Sequence, residues 1–399
     1  MLVLLTVYII SSASDQSSMG NNSPSKKIWN RFKRNKLAFG GLIFILLLMV
    51  LGILGYLIIP DQTPYASTIN LALNKKKPGR SFQFLIISKT KNVKKVGVFE
   101  KMLYGQPADF KSIPITSYQL KGDKVVVNEY VGDDEQAKQT VYELKDLCST
   151  CHLPSKLGNT KQLFARNNIY EQTFYLGTDL YGRDLLSRLI LGIRVSLSVG
   201  LMAVLISLFI GVSLGAIAGY YGGKTDSAIS WFMNVIWSLP SLLLVIAISF
   251  ALGKGFWQIF IAVGLSTWVD VARLVRGQVM ALKEVEFVEA AKALGFSTSR
   301  TIIKHILPNI AGSILVVASA NFASAILLET GLSFLGFGAQ PPMPSWGTMI
   351  KEHYGYIIMD AAYLAILPGL AIMLTVYAFN VLAIGLRDAF DVKGQNVTV

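Results

Sequence analysis

LAFGGLIFILLLMVLGILGYLII, residues 37–59, contains no charged side chain. At 1.5 Å of rise per residue, a helix of this length crosses a hydrocarbon core of about 30 Å. Directly before it stands KKIWNRFKRNK, residues 26–36. By the positive-inside rule that run holds the N-terminus in the cytoplasm. The composition agrees with a chain that lives in lipid: 52% hydrophobic residues, 15% charged residues and a mean hydropathy of +0.49. A soluble domain carries about 25% charged residues. The expectation is therefore a polytopic membrane protein.

Five further apolar runs read as spans, at about 196–221, 228–252, 256–276, 310–332 and 361–386. Six crossings return the C-terminus to the cytoplasm, where Arg387, Lys393 and a short tail, 392–399, fit. The same count makes residues 277–309 cytoplasmic. Arg273, Arg276, Lys283, Lys292, Arg300 and Lys304 cluster in or beside that loop, so charge and parity agree. Pro240 and Pro368 are expected to kink their spans, which requires a packed bundle to satisfy the freed backbone groups. The small residues of GVSLGAIAGYYGG, 211–223, permit close helix approach.

Residues 60–175 differ: polar, lysine-rich and without a spanning run. SFQFLIIS (81–88), KKVGVF (94–99), SYQLKGDKVVVNEY (117–130) and QTVYEL (139–144) favour strands. Lys121-Gly122-Asp123 reads as the turn of a hairpin. The expectation is an inserted extracytoplasmic domain, α/β or mostly β, whose lysines do not set topology because long loops translocate largely regardless of charge. At the N-terminus, MLVLLTVYII lacks a basic region and a clear small-residue cleavage site. Residues 1–36 are expected to form a cytoplasmic segment, and a start at Met19 is preferred to a signal sequence.

The formal charge of +13 does not imply nucleic-acid binding, because no basic stripe interleaves with aromatics on a soluble module. Cationic loops of membrane proteins set topology or meet anionic headgroups of membrane lipid. Cys148, Cys151 and His152 in CSTCH match the attachment pattern of c-type haem. No second axial ligand is evident, however, and a disulfide or free thiols at Cys148 and Cys151 is the preferred reading in an oxidising compartment. Gly222-Gly223-Lys224-Thr225 imitates the end of a P-loop, but the required first glycine falls on Ala218 and the stretch follows a span. Nucleotide hydrolysis by this chain is not expected. With three histidines and few paired carboxylates there is no metal site to name. Asp270 and Glu329, near the ends of their spans, read as interfacial or pathway-lining.

EFVEAAKALGF, residues 286–296, lies in the cytoplasmic loop. Phe287, Ala290, Ala291 and Leu294 recur at i, i+3, i+4 and i+7, one face of a helix, and Gly295 is placed to end it in a left-handed cap. A second short helical run, TSRTIIKHI (298–306), precedes Leu307-Pro308. Two short helices projecting from a membrane make either a knob for a protein groove or an interfacial element on lipid headgroups.

The EAA stretch, Gly295 and Ile306-Leu307-Pro308 resemble the loop by which ABC-transporter permeases engage their ATPase subunits. LGTDLYGRDLLSRLILGIRVSLSVGL (176–201), WVDVARLVRGQV (268–279), ETGLSFLGFGAQPPMPSWGTMI (329–350) and LPGLAIMLTVYAFNVLAIGLRDAFD (367–391) resemble the C-type permease of dipeptide/oligopeptide importers. The resemblance covers about 30–59 and 174–391. It implies an all-α polytopic fold with six transmembrane helices of type I importer architecture, carrying the inserted domain. It implies a coupling loop formed by Phe287, Glu289, Ala290, Ala291, Leu294, Gly295, Leu307 and Pro308. It also implies alternating access driven by two cytoplasmic ATP-binding subunits, a related permease as heterodimer partner and an extracytoplasmic substrate-binding protein. ATP and Mg would sit on the partners, with no cofactor on this chain and no enzyme activity of its own. Thr178, Asp179, Arg183 and Asp184 would cap a turn and a helix on the outer side, in preference to meeting a delivery protein. The pattern departs at Ala383-Ile384, at Asp391-Val392-Lys393 and in the inserted domain, which puts ordinary docking of a binding protein in doubt. The implied cargo is a peptide. Nickel or another small solute is the first alternative, and a membrane-anchored haem or redox protein a second. An ion-coupled secondary transporter is a third, disfavoured because no inverted repeats are evident.

Overall fold

The structure, a computed structural model, describes residues 24–88, 96–108, 110–133, 136–147, 164–253 and 255–390. Met19, Cys148, Cys151, His152 and the tail 391–399 lie outside the described residues.

A short amphipathic helix, α1 (Pro24–Arg34), leads into α2 (Lys36–Ile58). The break between them is capped: Asn35 accepts a hydrogen bond from the Ala38 amide at 3.1 Å, satisfying one of the free N–H groups of a helix start. Four more apolar helices are long enough to cross a membrane: α4 (Leu185–Tyr221), α7 (Phe256–Lys283), a unit over Thr298–Leu335 whose main part is α9 (Leu307–Leu335), and α11 (Tyr363–Phe390). The region expected to form the third span is broken. α5 (Gly223–Trp237) and α6 (Ser241–Leu252) meet at 94° across Ser238-Leu239-Pro240. Pro240 has no N–H to continue a helix, and it restricts Leu239 to extended backbone. Pro368, by contrast, lies inside an unbroken α11.

Glycine contacts show how the five long helices run relative to one another. A Cβ added to Gly211 would stand 2.6 Å from Val271 Cβ, one on Gly215 2.5 Å from Ala272 O, and one on Gly219 2.6 Å from Arg276 O. Residue numbers rise together along this seam, so α4 and α7 run parallel. The small residues of 211–219 thus bring two backbones into contact, as small-xxx-small stripes do. Parallel neighbours require the α5–α6 pair to carry the chain back across, making it one broken crossing. In the other seams residue numbers run oppositely, so they are antiparallel: Gly41–Ala378 and Ala38–Gly385 join α2 to α11, Gly52–Ile193 and Gly55–Ile190 join α2 to α4, Gly200–Phe322 and Ser207–Asn321 join α4 to α9, and Gly312–Phe390 and Phe322–Phe379 join α9 to α11. With the bent α5–α6 pair counted as one unit, the apolar segments number six, and α1 and the end of α11 lie at the same end of the bundle. Asn35 donates to Asp388 there at 3.4 Å.

α4 begins at Leu185, well before the expected boundary at 196. Arg188 and Arg194 lower the hydropathy of its first turns and hide them from an apolar-run search. At its other end Gly222 and Gly223, with φ of +66° and +52°, reverse the chain directly into α5.

Between α2 and α4 lies an antiparallel five-stranded sheet in the order β4-β3-β2-β1-β5. Its strands are β1 (Arg80–Ser88), β2 (Phe110–Lys121), β3 (Lys124–Glu129), β4 (Lys138–Glu143) and β5 (Ile169–Phe174). The hairpin at Gly122-Asp123 is present, pairing Lys121 with Lys124. One face buries Leu85, Ile115, Val125, Val127 and Phe164, and the other packs Phe84 with Phe174 and Leu73. The expected strand at 94–99 is different. Val98 and Phe99 begin a seven-residue helix, α3 (Val98–Tyr104), whose inner side and last carbonyls pack on α2 and Arg194.

Candidate coupling surface

α8 (Glu286–Ala293) hangs from the end of α7 by two residues, Glu284 and Val285. Glu286 and Glu289 in its first turn complement the helix dipole. Its end is a Schellman motif. Phe296 N–H reaches Ala291 O at 3.1 Å and Gly295 N–H reaches Lys292 O at 2.9 Å, with Gly295 at φ +76°. Phe296 then stacks on His305, and Arg300 lies 4.2 Å from the Phe296 ring centre.

The orientation of α8 corrects the expected contact face. Val288 and Ala291 are buried, packed in one cluster with Val275 and Val279 of α7 and with Ile306 and Ile310 at the start of α9. Phe287, Glu289, Ala290 and Leu294 point away from the bundle; Leu294 is 74% exposed. Ala291 therefore belongs to the inward seat, and the outward apolar stripe is Phe287, Ala290 and Leu294. Lys292 reaches over Tyr220 at the end of α4, 5.6 Å from its ring centre. The expected second helix is not separate: Thr298–Thr301 runs through a π-turn, Ile302–Ile306, straight into α9. The wider turn is closed by Leu307 N–H to Ile302 O and directly precedes Pro308, which has no N–H of its own. Leu307 is half-buried in the seat and Pro308 is exposed.

At the same end, Arg276 of α7 makes a two-pronged ion pair with Asp226 of α5, its Nη2 at 2.6 Å from Oδ2. Arg273 stacks on Trp237 at 4.0 Å and donates to Asn234 at 2.8 Å. These contacts tie the first half of the broken crossing to α7.

The opposite end is organised by Thr178 to Arg188. Thr178 accepts from the Lys76 amide at 2.8 Å, and Asp179 Oδ1 closes a tight turn by accepting from Tyr181 and Arg183 amides at 2.8 and 2.9 Å. Asp184 caps α4 through the Ser187 amide at 2.8 Å. Arg183 bridges Asp179 at 2.6 Å and Glu352 of α10 (Trp346–His353) at 3.0 Å, and Arg188 approaches the same two carboxylates at 3.6 and 3.8 Å. Asp179, Glu352 and His353 are close enough together to hold a metal ion. Two guanidinium groups already neutralise those carboxylates, so the donor set fits an ion-pair network and not a cation. Thr178, Asp179, Arg183 and Asp184 are all buried, and they hold turn and cap together.

Residues 211–393 match the family model described as the binding-protein-dependent transport system inner membrane component. Residues 23–78 match the N-terminal TM domain of oligopeptide transport permease C. Curated relatives include the glutathione transport system permease protein GsiD of Pectobacterium atrosepticum, 42% identical over 55% of this chain and 72% of its own. The oligopeptide permease protein OppC of Haemophilus influenzae is 44% identical over 55% and 71%, and the dipeptide permease protein DppC of Bacillus subtilis 44% over 55% and 68%. The chain belongs to this family of transport permeases. The sheet falls between the two matched stretches.

In this permease α8 bridges α7 and α9, which together with the α5–α6 break line an open cavity of about 420 Å³. Ser266, Thr267 and Asp270 come from α7, Ser324 and Leu327 from α9, and Trp237 and Ser241 from the break itself. Asp270 is exposed on this cavity, whereas Glu329 is fully buried and accepts from Ser333 at 2.7 Å. A second cleft of about 820 Å³ separates the sheet from the loop after α2 and is lined by Asp61, Gln106, Lys111, Tyr170 and Asp184. The sequence reading missed Val288, Arg188 and Glu352. Val288 was legible as the i+3 neighbour of Ala291. Glu352 had no signal, because its partners lie far away in the chain.

Proposed function

We propose that this permease is one transmembrane subunit of an ATP-driven ABC importer that carries di- or oligopeptides across the cytoplasmic membrane. The carrying observation is the mounting of α8. Its outward stripe of Phe287, Ala290 and Leu294 is free of the bundle, while its inward pair, Val288 and Ala291, is locked onto both α7 and α9. A partner seated on that stripe moves both cavity walls at once, which is what alternating access requires. Glu289 and Gly295 shape the knob, and Leu307 and Pro308 complete its edge.

Orientation follows from charge. Arg31, Lys33 and Arg34 of α1, Lys283, Lys292, Arg300 and Lys304 around α8, and Arg387 of α11 share one end. That end is cytoplasmic by the positive-inside rule, so the sheet domain is extracytoplasmic. The partners are a related permease forming a heterodimer, two ATP-binding subunits that carry ATP and Mg, and an extracytoplasmic binding protein. This chain contributes no cofactor and no catalytic group. Peptide cargo is supported by the named activities of the relatives. A cavity with hydroxyls and one carboxylate also suits a zwitterionic ligand with a free ammonium group.

Proteoliposomes containing this chain with its cognate partner subunits provide the test. ATP should drive accumulation of a labelled tripeptide, and a non-hydrolysable ATP analogue should not. Accumulation of nickel or another solute with no peptide uptake would overturn the cargo assignment.

A further inference from the structure

α3 exposes almost its whole apolar surface: Val98 is 73% exposed, Phe99 72%, Leu103 45% and Tyr104 70%. Phe99 and Leu103, four residues apart, share one stripe, with Val98 and Tyr104 beside it. Lys101 and Met102 are the half-buried side toward α2. Among the described residues, nothing covers these four large apolar side chains on seven residues, and the cost of leaving them in water is high.

The depth of α3 says what covers them. Its last carbonyls are held by Arg194 of α4: Nη1 donates to Leu103 O at 2.9 Å and Nη2 to Met102 O. The same guanidinium donates from Nη2 to Ile53 O of α2 at 2.9 Å, and from Nε to Gly52 O. Its plane lies 4.7 Å from the Tyr56 ring centre. The next residue, Gly105, is pressed onto α2: a Cβ there would stand 2.9 Å from the Tyr56 ring and 2.8 Å from Gln62 O. Gly52 to Tyr56 belong to the apolar span, whose helix runs on to Ile58. Ile53 lies about 7 Å inside that end, at 1.5 Å per residue. Its neighbours Leu57 and Ile58 are exposed on the outside of the bundle, as lipid-facing residues are. α3 is thus continuous with the lipid-facing surface of α2 and level with its last turns. Arg194 at that depth is satisfied by backbone carbonyls from both helices, which is how an intramembrane arginine is tolerated.

We infer that α3 is an interfacial anchor: Val98, Phe99, Leu103 and Tyr104 are buried among the glycerol and upper acyl groups of the outer leaflet. Phenylalanine, leucine and tyrosine suit that zone, where amphipathic helices sit about 5–10 Å deep. Glu100 lies in the first turn of α3 on its exposed side and points toward the headgroups. The anchor holds the sheet domain against the bilayer beside α2. From Gly105 the chain passes Gln106, whose amide bonds Gln62 O at 2.8 Å, and enters β2. The cleft of about 820 Å³ beneath the sheet is thereby kept at a fixed height over the outer end of α4.

The test uses the complete transporter in lipid nanodiscs, with Cys148→Ser and Cys151→Ser as background. An NBD fluorophore is placed at Phe99→Cys or, in separate samples, at Tyr104→Cys and at Val141→Cys on β4 as a control. ATP-driven uptake by the same preparations in proteoliposomes reports that each is folded. With a lipid doxyl-labelled high on its acyl chain, emission from positions 99 and 104 should fall well below that from position 141, as expected at a depth of about 5–10 Å. Iodide should quench them weakly, and position 141 should show the reverse. Strong iodide quenching at 99 and 104 would place α3 in water and overturn the anchor. Shielding from both quenchers would do the same by assigning a protein partner to this face. The quenching readout itself does not depend on which solute is transported.

Discussion

Gly215 of α4 lies against Ala272 of α7 so closely that a Cβ added to it would stand 2.5 Å from the Ala272 carbonyl oxygen. The neighbour is backbone and cannot swing aside, so any larger residue must separate two parallel helices. Gly215→Leu is expected to destabilise the bundle by about 1–3 kcal/mol or more, the range for overpacked cores. Gly40 on α2 supplies the control, since nothing lies within 4 Å of its added Cβ. Thermal unfolding in detergent should fall for Gly215→Leu and hold for Gly40→Leu. Equal behaviour of the two variants would refute the parallel α4–α7 seam, and with it the argument for a broken third crossing.

The two faces of α8 separate folding from coupling. Val288→Asp places a carboxylate among Val275, Val279, Ile306 and Ile310 with no partner, a change of several kcal/mol. That variant should lose yield and thermal stability. Leu294→Asp alters a 74% exposed side chain and should change stability by no more than about 0.5 kcal/mol. It should nevertheless abolish co-purification of the ATP-binding subunits and uptake. Leu294→Asp and Glu289→Arg complexes that assemble and transport normally would remove α8 from the coupling role.

Gly295 is tested through its backbone. At φ +76° it closes the Schellman motif, and its N–H is bonded to Lys292 O. Gly295→Ala should cost about 1 kcal/mol for forcing a Cβ into the left-handed region. Gly295→Pro removes the donor and demands φ near −65°, so the last turn of α8 should unravel. Uptake should decline in the order glycine, alanine, proline while membrane insertion, read by protease protection of the N-terminus, stays constant. Full transport by the proline variant would mean that the cap is dispensable.

What sequence could reveal here follows from the range of each interaction. Hydropathy found α2 because nothing interrupts it, and shortened α4 because Arg188 and Arg194 stand in its first turns. Periodicity located α8 but left its rotation undefined. A stripe of Phe287, Ala290, Ala291 and Leu294 is one face of an isolated helix, and only the neighbouring Val275, Val279 and Ile310 decide that Val288 and Ala291 turn inward. The Pro240 break was visible in one residue, although its 94° angle was not. The turn and cap of Thr178 to Asp184 are local and were readable. Their pairing with Glu352 depends on helix packing and left no local trace. The strand expected at Val98-Phe99 failed because its deciding partners, α2 and Arg194, lie elsewhere in the chain.

Asp184 gives the last prediction, a pH dependence. Burial at the head of α4, with Asp61 and Asp179 adding negative charge and the Ser187 amide and hydroxyl opposing, pushes its carboxyl up to about 6. Because the folded value lies above the unfolded one, near 3.8, the native state holds the extra proton between those limits. Stability therefore rises as pH falls from about 6 toward 4 and is lost as pH rises through 6; two units correspond to about 3 kcal/mol at most. Asp133 acts with the opposite sign. Its carboxyl, held at about 2 by Tyr130 and Lys76, stabilises the fold above about pH 4 and loses that effect below it, outside the Asp184 window. Asp184→Asn keeps a helix cap of similar quality and removes the titration. Its unfolding temperature should equal or exceed the parent's at pH 7.5 and change less between pH 6 and 4.5. If parent and variant shift in parallel over that interval, the charge of Asp184 is not the source of the dependence.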